Sequence, residues 1–149
     1  NKWDLVSNKK EKLKHLKINA ENLLPQLRGI SVVTVSALLG EGLVNLKSEI
    51  LKSHEIWNRR INTAKLNLWL KDRILSHPPP KNKANRIKLR YIAQINHRPP
   101  TFAVFGSFSR SIPASYKRYL VNGLREDFGL IGTPIRLLIR QSKNPYVEK

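Results

Sequence analysis

The chain has 149 residues, a net charge of +18 and no cysteine. That length suits one domain, or a small domain plus part of another, and the missing thiols exclude a disulfide framework, a thiolate nucleophile and cysteine-held metal. No apolar run approaches the roughly 18–20 residues of a membrane span, and the Lys-rich start is unlike a secretory signal.

The charge is uneven. Residues 1–54 carry nine Lys/Arg against five Asp/Glu, and residues 55–149 carry nineteen against five. The excess in the second part implies an anionic partner. Nucleic acid fits better than a membrane surface, because the basic residues are spread over a folded pattern and not gathered on one amphipathic helix.

The chain opens on a motif. Asn1-Lys2-Trp3-Asp4 has the form NKxD and Val35-Ser36-Ala37-Leu38 ends in the form SA(K/L), in the order in which GTPases use the pair to read guanine. A carboxylate such as Asp4 accepts two parallel hydrogen bonds from guanine N1–H and N2–H, which adenine does not offer, and a mismatch leaves its charge unpaired. Asn1 can bond the N7/O6 edge and the Lys2 stem can lie over the base. The Ala37 N–H is expected to meet O6, with the Ser36 hydroxyl steadying the Asp4 loop. No G-x-x-x-x-G-K-[ST] loop occurs, so the chain carries the base-reading end of a nucleotide site without the phosphate-binding end, and by itself is expected not to hydrolyse GTP.

Between the motifs, residues 7–27 read as a polar helix with Leu13, Leu16 and Ala20 at helical spacing, broken near Pro25. Ile30–Val35 reads as a buried strand. A helix from about Leu43 to Lys52 or beyond follows, with Leu43, Leu46, Ile50 and Leu51 as its stripe. One strand makes no sheet, so residues 1–54 are expected to pack poorly unless they find another surface.

Residues 55–149 read as a second unit of order α-β-β-α-β, with a three-stranded sheet and two helices on one face. Trp57, Ile61, Ala64 and Leu68 predict an amphipathic helix ending before Pro78-Pro79-Pro80, and residues 81–85 a polar loop. A strand follows with Ile87, Leu89, Tyr91, Ala93 and Ile95 inward and Arg86, Lys88, Arg90, Ile92 and Gln94 outward. After a turn at Asn96 to Pro100 come a strand at Thr101–Phe105 and a loop at Gly106–Ser111. Pro113 opens a helix with Tyr116, Leu120, Leu124 and Phe128 on one face, Lys117, Arg118 and Arg125 away from it, and Gly129 as its left-handed stop. The last strand, Pro134 to Arg140, sets Ile135, Leu137 and Ile139 inward and Arg136, Leu138 and Arg140 outward.

With both regions in view, the chain resembles the C-terminal third of the Der (EngA) family, bacterial proteins with two tandem GTPase domains followed by a KH-like domain. The resemblance rests on Asn1 to Leu5 and Val35 to Leu38, on Arg60-Ile61-Asn62-Thr63, His77 to Pro80 and Arg98 to Phe102, and on Pro113 to Leu120 and Gly132 to Leu137. It implies an α+β architecture in which a KH-like domain (55–149) follows an incomplete C-terminal piece of a P-loop GTPase domain (1–54). It further implies a cytoplasmic protein acting in assembly of the 50S ribosomal subunit and contacting rRNA through the KH-like domain, with the other G domains of the same chain as partners. GTP or GDP with magnesium belongs to the intact protein. The guanine contacts carried over are Asn1, Lys2, Asp4, Ser36, Ala37 and Leu38, the last standing where many GTPases have lysine.

Two basic surfaces are candidates for RNA. One is the sheet face with Arg86, Lys88, Arg90, Arg136 and Arg140 at period two, and Phe105 as its candidate stacking aromatic. The other is the helix face with Lys117, Arg118 and Arg125, joined by Arg98, Lys81 and Lys83. Gly129-Leu130-Ile131-Gly132 spells G-x-x-G, but it follows a helix and leads into a strand, so it reads as a turn and not a nucleic-acid clamp. The four histidines lie in separate elements with no metal spacing, and Ser107, Ser109 and Ser111 have no base partner. Glu126-Asp127 at a helix C-terminus is unfavourable for the dipole and implies a salt bridge or an interdomain contact. An alternative role for the C-terminal part is regulation of the GTPase domains.

Overall fold

The computed structural model describes residues 1–80, 87–107 and 112–141. In chain order it contains a 3-10 turn at Trp3–Leu5, helix α1 (Lys9–Leu23), a 3-10 turn at Pro25–Leu27, and helices α2 (Leu43–Asn58) and α3 (Thr63–Ser76). Strands β1 (Lys88–His97) and β2 (Pro100–Ser107), helix α4 (Ala114–Asp127) and strand β3 (Arg136–Gln141) follow. From α3 onward this is the expected α-β-β-α-β order. β2 is central, with β1 antiparallel on one side and β3 parallel on the other. A tight turn suffices between β1 and β2, while the parallel pair needs the crossover that α4 provides.

The core lies on one face of this sheet. Phe102 and Val104 of β2 and Leu89 and Ile92 of β1 meet Leu66, Trp69 and Leu70 of α3 and Tyr116, Leu120 and Leu124 of α4. Leu137 and Ile139 of β3 pack against them, as their alternation predicts.

The α3 face differs from the one read from spacing. Residues 59–62 break the chain between α2 and α3, and the Asn62 side chain caps α3 by accepting from the Ala64 N–H at 2.8 Å. The cap resets the helical phase, so Leu66, Trp69 and Leu70 turn inward, while Leu68 and Trp57 stay exposed and Trp57 belongs to α2.

β1 carries a second correction. Leu89 faces Gly106 and Tyr91 faces Phe105, so Arg90 is an extra residue; a similar shift lies between Gln94 and Asn96. Each bulge inverts the alternation that follows it. Ile92, expected outside, is fully buried, and Tyr91 and Ile95, expected inside, are exposed. Side-chain amides tie the free edge of β1 to the segments beside it. Asn67 of α3 accepts from the Ile92 N–H and donates to its carbonyl, both at 3.0 Å. Gln94 accepts from the Ile61 N–H at 2.8 Å and donates to the Arg59 carbonyl at 3.0 Å. The Asn67 bonds satisfy backbone groups on an edge that would otherwise be open to pairing with another chain, and the Gln94 bonds hold residues 59–61 against β1.

α4 stops as predicted. Gly129 has φ +63°, and the Leu130 N–H reaches back to the Arg125 carbonyl at 2.9 Å. Asp127, at this unfavourable end, accepts from Trp69 Nε1 at 2.6 Å and is ion-paired with Arg73, so α4 is tied to α3. Burial pushes the Asp127 carboxyl up, but hydrogen bonds from Arg73 and Trp69 and the Arg73 charge outweigh it and hold its pKa below the usual range.

Residues 1–58 bury no apolar side chain; Ser36 is the one fully buried residue among them. Ile30–Val35, expected as a buried strand, forms no strand, and the nearest pairing is a single bridge between Ser36 and Glu41. A strand is defined by its neighbour, and none of the described residues supplies one. α2 passes straight through the 54/55 boundary expected between the two units.

The first region meets the second at the turn after α4. The Gly132 N–H donates to the Arg28 carbonyl at 3.0 Å, and Arg125 Nη2 donates to the Gln26 carbonyl at 2.8 Å. Within the second region, Arg59 Nη1 donates to the Phe128 and Gly129 carbonyls of the same turn at 3.0 and 3.2 Å. The G-x-x-G sequence is therefore a helix stop and a docking turn. No helix among the described residues is long and apolar enough to cross a membrane.

Candidate functional site

The two guanine-type motifs lie side by side, although more than thirty residues separate them in the chain. The Trp3 N–H donates to the Val35 carbonyl at 3.0 Å, and the Ala37 N–H donates to Asn1 Oδ1 at 3.1 Å. Lys2 holds φ +59°, a left-handed conformation uncommon for a residue with a side chain, and its N–H also donates to Asn1 Oδ1, at 2.7 Å. Asn1, Lys2, Asp4, Ser36, Ala37 and Leu38 thus border one loop pair, with Asp4 half-buried and Leu38 86% exposed. Gly42 closes the second loop at φ +75°, where an added Cβ would collide with the Thr34 carbonyl oxygen.

Two details differ from expectation. The Ala37 N–H, assigned to guanine O6, is paired with Asn1. The Ser36 hydroxyl accepts from the Leu39 N–H at 3.3 Å, bracing its own loop and not that of Asp4.

The basic residues divide differently from the way period two sorts them. Arg86 lies outside the described residues, as do Lys81 and Lys83. Arg90, in the bulge, lines a groove with Leu70, Lys71 and Ile74 of α3, while Lys88 stands opposite Ser107. The two therefore do not form one row. Arg136 and Arg140 are exposed on the sheet face away from the core, opposite Thr101 and Phe105. The bulge brings Tyr91 onto this face, where its ring lies 6.0 Å from that of Phe105. Sequence reading missed Tyr91 because strict alternation sent it inward. This face carries two aromatic rings, with Arg140 beside Phe105, Lys88 opposite Ser107 and Arg136 further along β3.

On α4, Arg118 is exposed and Lys117 half-buried, but Arg125 is only 5% exposed and faces the first region. It leaves the helix-face group. Arg98 is exposed and donates through Nε to the Asn58 side chain.

Among the described residues no group of three or more His, Asp or Glu could hold a metal ion. His77 packs between Tyr116 and Tyr119, and its carbonyl accepts from the Tyr116 hydroxyl at 2.9 Å. Burial, helped by Tyr119, pushes the Tyr116 phenol up to about 12, which suits a structural donor rather than a proton shuttle near neutral pH. Ser107 lies in β2; Ser109 and Ser111 fall outside the described residues.

Comparison with known proteins places this arrangement. Residues 60–140 match the family described as KH-domain-like of EngA bacterial GTPase enzymes, C-terminal. A protein named GTPase Der from Ruegeria sp. (strain TM1040) is 56% identical over all of this chain and 31% of its own length. Those of Cereibacter sphaeroides (strain KD131) and Parvibaculum lavamentivorans are 55% and 49% identical, again over the whole chain and 31% and 32% of their own lengths. The chain therefore spans about a third of these relatives.

Proposed function

The chain belongs to the EngA (Der) family of bacterial GTPases through its C-terminal KH-domain-like part, and on that premise we propose that it is the base-reading and RNA-contacting end of a GTP-binding protein acting in 50S subunit assembly. Residues 1–54 then belong to a GTPase domain whose other strands flank the unpaired segment 30–35. Asn1, Lys2, Asp4, Ser36, Ala37 and Leu38 border the guanine. GTP hydrolysis, magnesium and the phosphate loop belong to the intact cytoplasmic protein, since no phosphate-binding motif occurs in these residues.

The partner of the KH-like part is rRNA. One observation carries this: the β1 bulge sets Tyr91 beside Phe105 on the sheet face that also bears Lys88, Arg136 and Arg140. Aromatic rings stack bases irrespective of sequence, and flanking cations follow the backbone. A regulatory role towards the GTPase domains finds support in the seam between residues 26–30 and the turn at 129–132, which would carry movement from one region to the other.

The test is binding of the chain to large-subunit rRNA across a salt series. Replacing Lys88, Arg136 and Arg140 together by Gln should lower the salt slope by roughly 0.7–0.9 per lost phosphate contact. Tyr91→Ala should weaken binding by about 1–3 kcal/mol without changing the slope. Unchanged affinity and slope in both variants would remove the sheet face from the reading.

A further inference from the structure

A groove of about 620 Å³ follows the joint between the two regions, on the helix side of the sheet and away from Tyr91 and Phe105. Four cations line it, Arg28 from the first region and Lys117, Arg118 and Arg125 from α4, against one carboxylate, Glu21. Among the described residues no ion pair joins any of the four to an acid.

Arg125 is the informative member. It is 5% exposed, yet its two hydrogen bonds run to the Gln26 carbonyl and to Asn122 Oδ1, both neutral acceptors. Its Nε is buried and has no partner. A guanidinium has five N–H donors in a rigid fork that suits carboxylate or phosphate, and a buried charge without a counter-charge is costly. Burial first and the facing Arg28 second hold the Arg125 pKa down, with Glu126 opposing them. A buried cation facing an exposed one across the groove marks a place that an anion would relieve.

We propose that this groove binds a phosphate group, gripped by Arg125 and Arg28 with Lys117 and Arg118 at its rim, and that binding ties the first region to the KH-like part. Arg28 comes from the segment whose backbone already docks on Gly132, and Arg125 holds Gln26. An anion between them would therefore bridge the same seam. The phosphate can be a diester of an RNA backbone or a free phosphate.

Thermal unfolding of the full chain, in low millimolar sodium phosphate against sodium chloride at equal ionic strength, reads the site. Phosphate should raise the Tm of the wild type. Arg28→Gln and Arg118→Gln, at exposed positions, should each weaken the apparent phosphate affinity about tenfold, and Arg125→Gln should abolish the shift. Circular dichroism reports whether Arg125→Gln is folded; if it is not, the two surface variants decide. Since phosphate also stabilises folded proteins generally, the difference between wild type and variants is the readout. No shift in the wild type, or equal shifts in all four proteins, overturns the proposal. Titration with a short RNA separates the sources: RNA affinity lost in Arg28→Gln identifies the diester, while loss for inorganic phosphate alone identifies the free group. Tyr91→Ala should leave the phosphate effect unchanged, which separates this site from the sheet face.

Discussion

Helices α1 and α2 have 15 and 16 residues, and α3 and α4 have 14 each, yet only the second pair buries apolar side chains. α3 and α4 close over a sheet and enclose Phe102, Leu66 and Leu120 completely. On α2, Ile50, Leu51 and Trp57 remain about half-exposed. Helical periodicity is thus legible in both regions, but its energetic return depends on a facing layer, and only residues 59–141 contain one. Residues 1–58 hold a paired set of motif loops and lean on the second region through the Gly132–Arg28 and Arg125–Gln26 bonds, the Arg98–Asn58 bond and the half-buried Ile56 at the end of α2.

The largest expected effect sets the two regions against each other directly. Phe102→Ala should cost about 3–5 kcal/mol in chemical denaturation, whereas Leu51→Ala should stay within about 0.5 kcal/mol. A cost above about 2 kcal/mol for Leu51→Ala would break the comparison, since only cavity creation in a closed core reaches that size.

Glycine substitutions sharpen it. Gly129 and Gly40 both have left-handed φ, but an added Cβ at Gly129 would lie 2.8 Å from Arg59 Nη1, while at Gly40 nothing stands within 4 Å. Gly129→Ala should lower stability by about 2 kcal/mol and Gly40→Ala by about 1 kcal/mol or less, read from melting curves. Asn62→Ala, which removes the cap that sets the phase of α3, should cost about 1 kcal/mol.

The smallest effect depends on pH. The Asp127 pKa is depressed in the folded state, so its stabilisation is present above the unfolded carboxylate value and is lost as pH falls through the folded value. Asp127→Asn should therefore destabilise the chain near neutrality by about 1 kcal/mol, a figure kept low because the carboxylate is 40% exposed. Variant and wild type should converge in denaturation series taken below about pH 3.

Much of the second region was readable from pattern: the element order, the Tyr116-Leu120-Leu124 stripe, the Gly129 stop and the inward face of β3. The errors in α3 and β1 share a cause, which is that pattern assumes an uninterrupted period. A bulge at Arg90 and a cap at Asn62 each shift the phase by a residue or more, so Tyr91 and Ile92 exchanged places and a stripe was read through a helix break. Arg125 was misplaced for another reason. Charge argues for exposure, and only the docking of residues 26–28 on α4 buries it. At the motif loops, the residue types were legible because NKxD and SA(K/L) are local strings. Their mutual hydrogen bonds were not, because Asn1 and Ala37 meet only in three dimensions.

Hydrogen exchange followed by mass spectrometry tests the two-region account most directly. Amides of β1, β2 and α4 should exchange only through global unfolding, while those of α1 and α2 should exchange orders of magnitude faster and leave the second region protected. Equal protection of α2 and α4 would contradict the account, because it would mean that residues 1–58 share the cooperative core that their exposed side chains deny them.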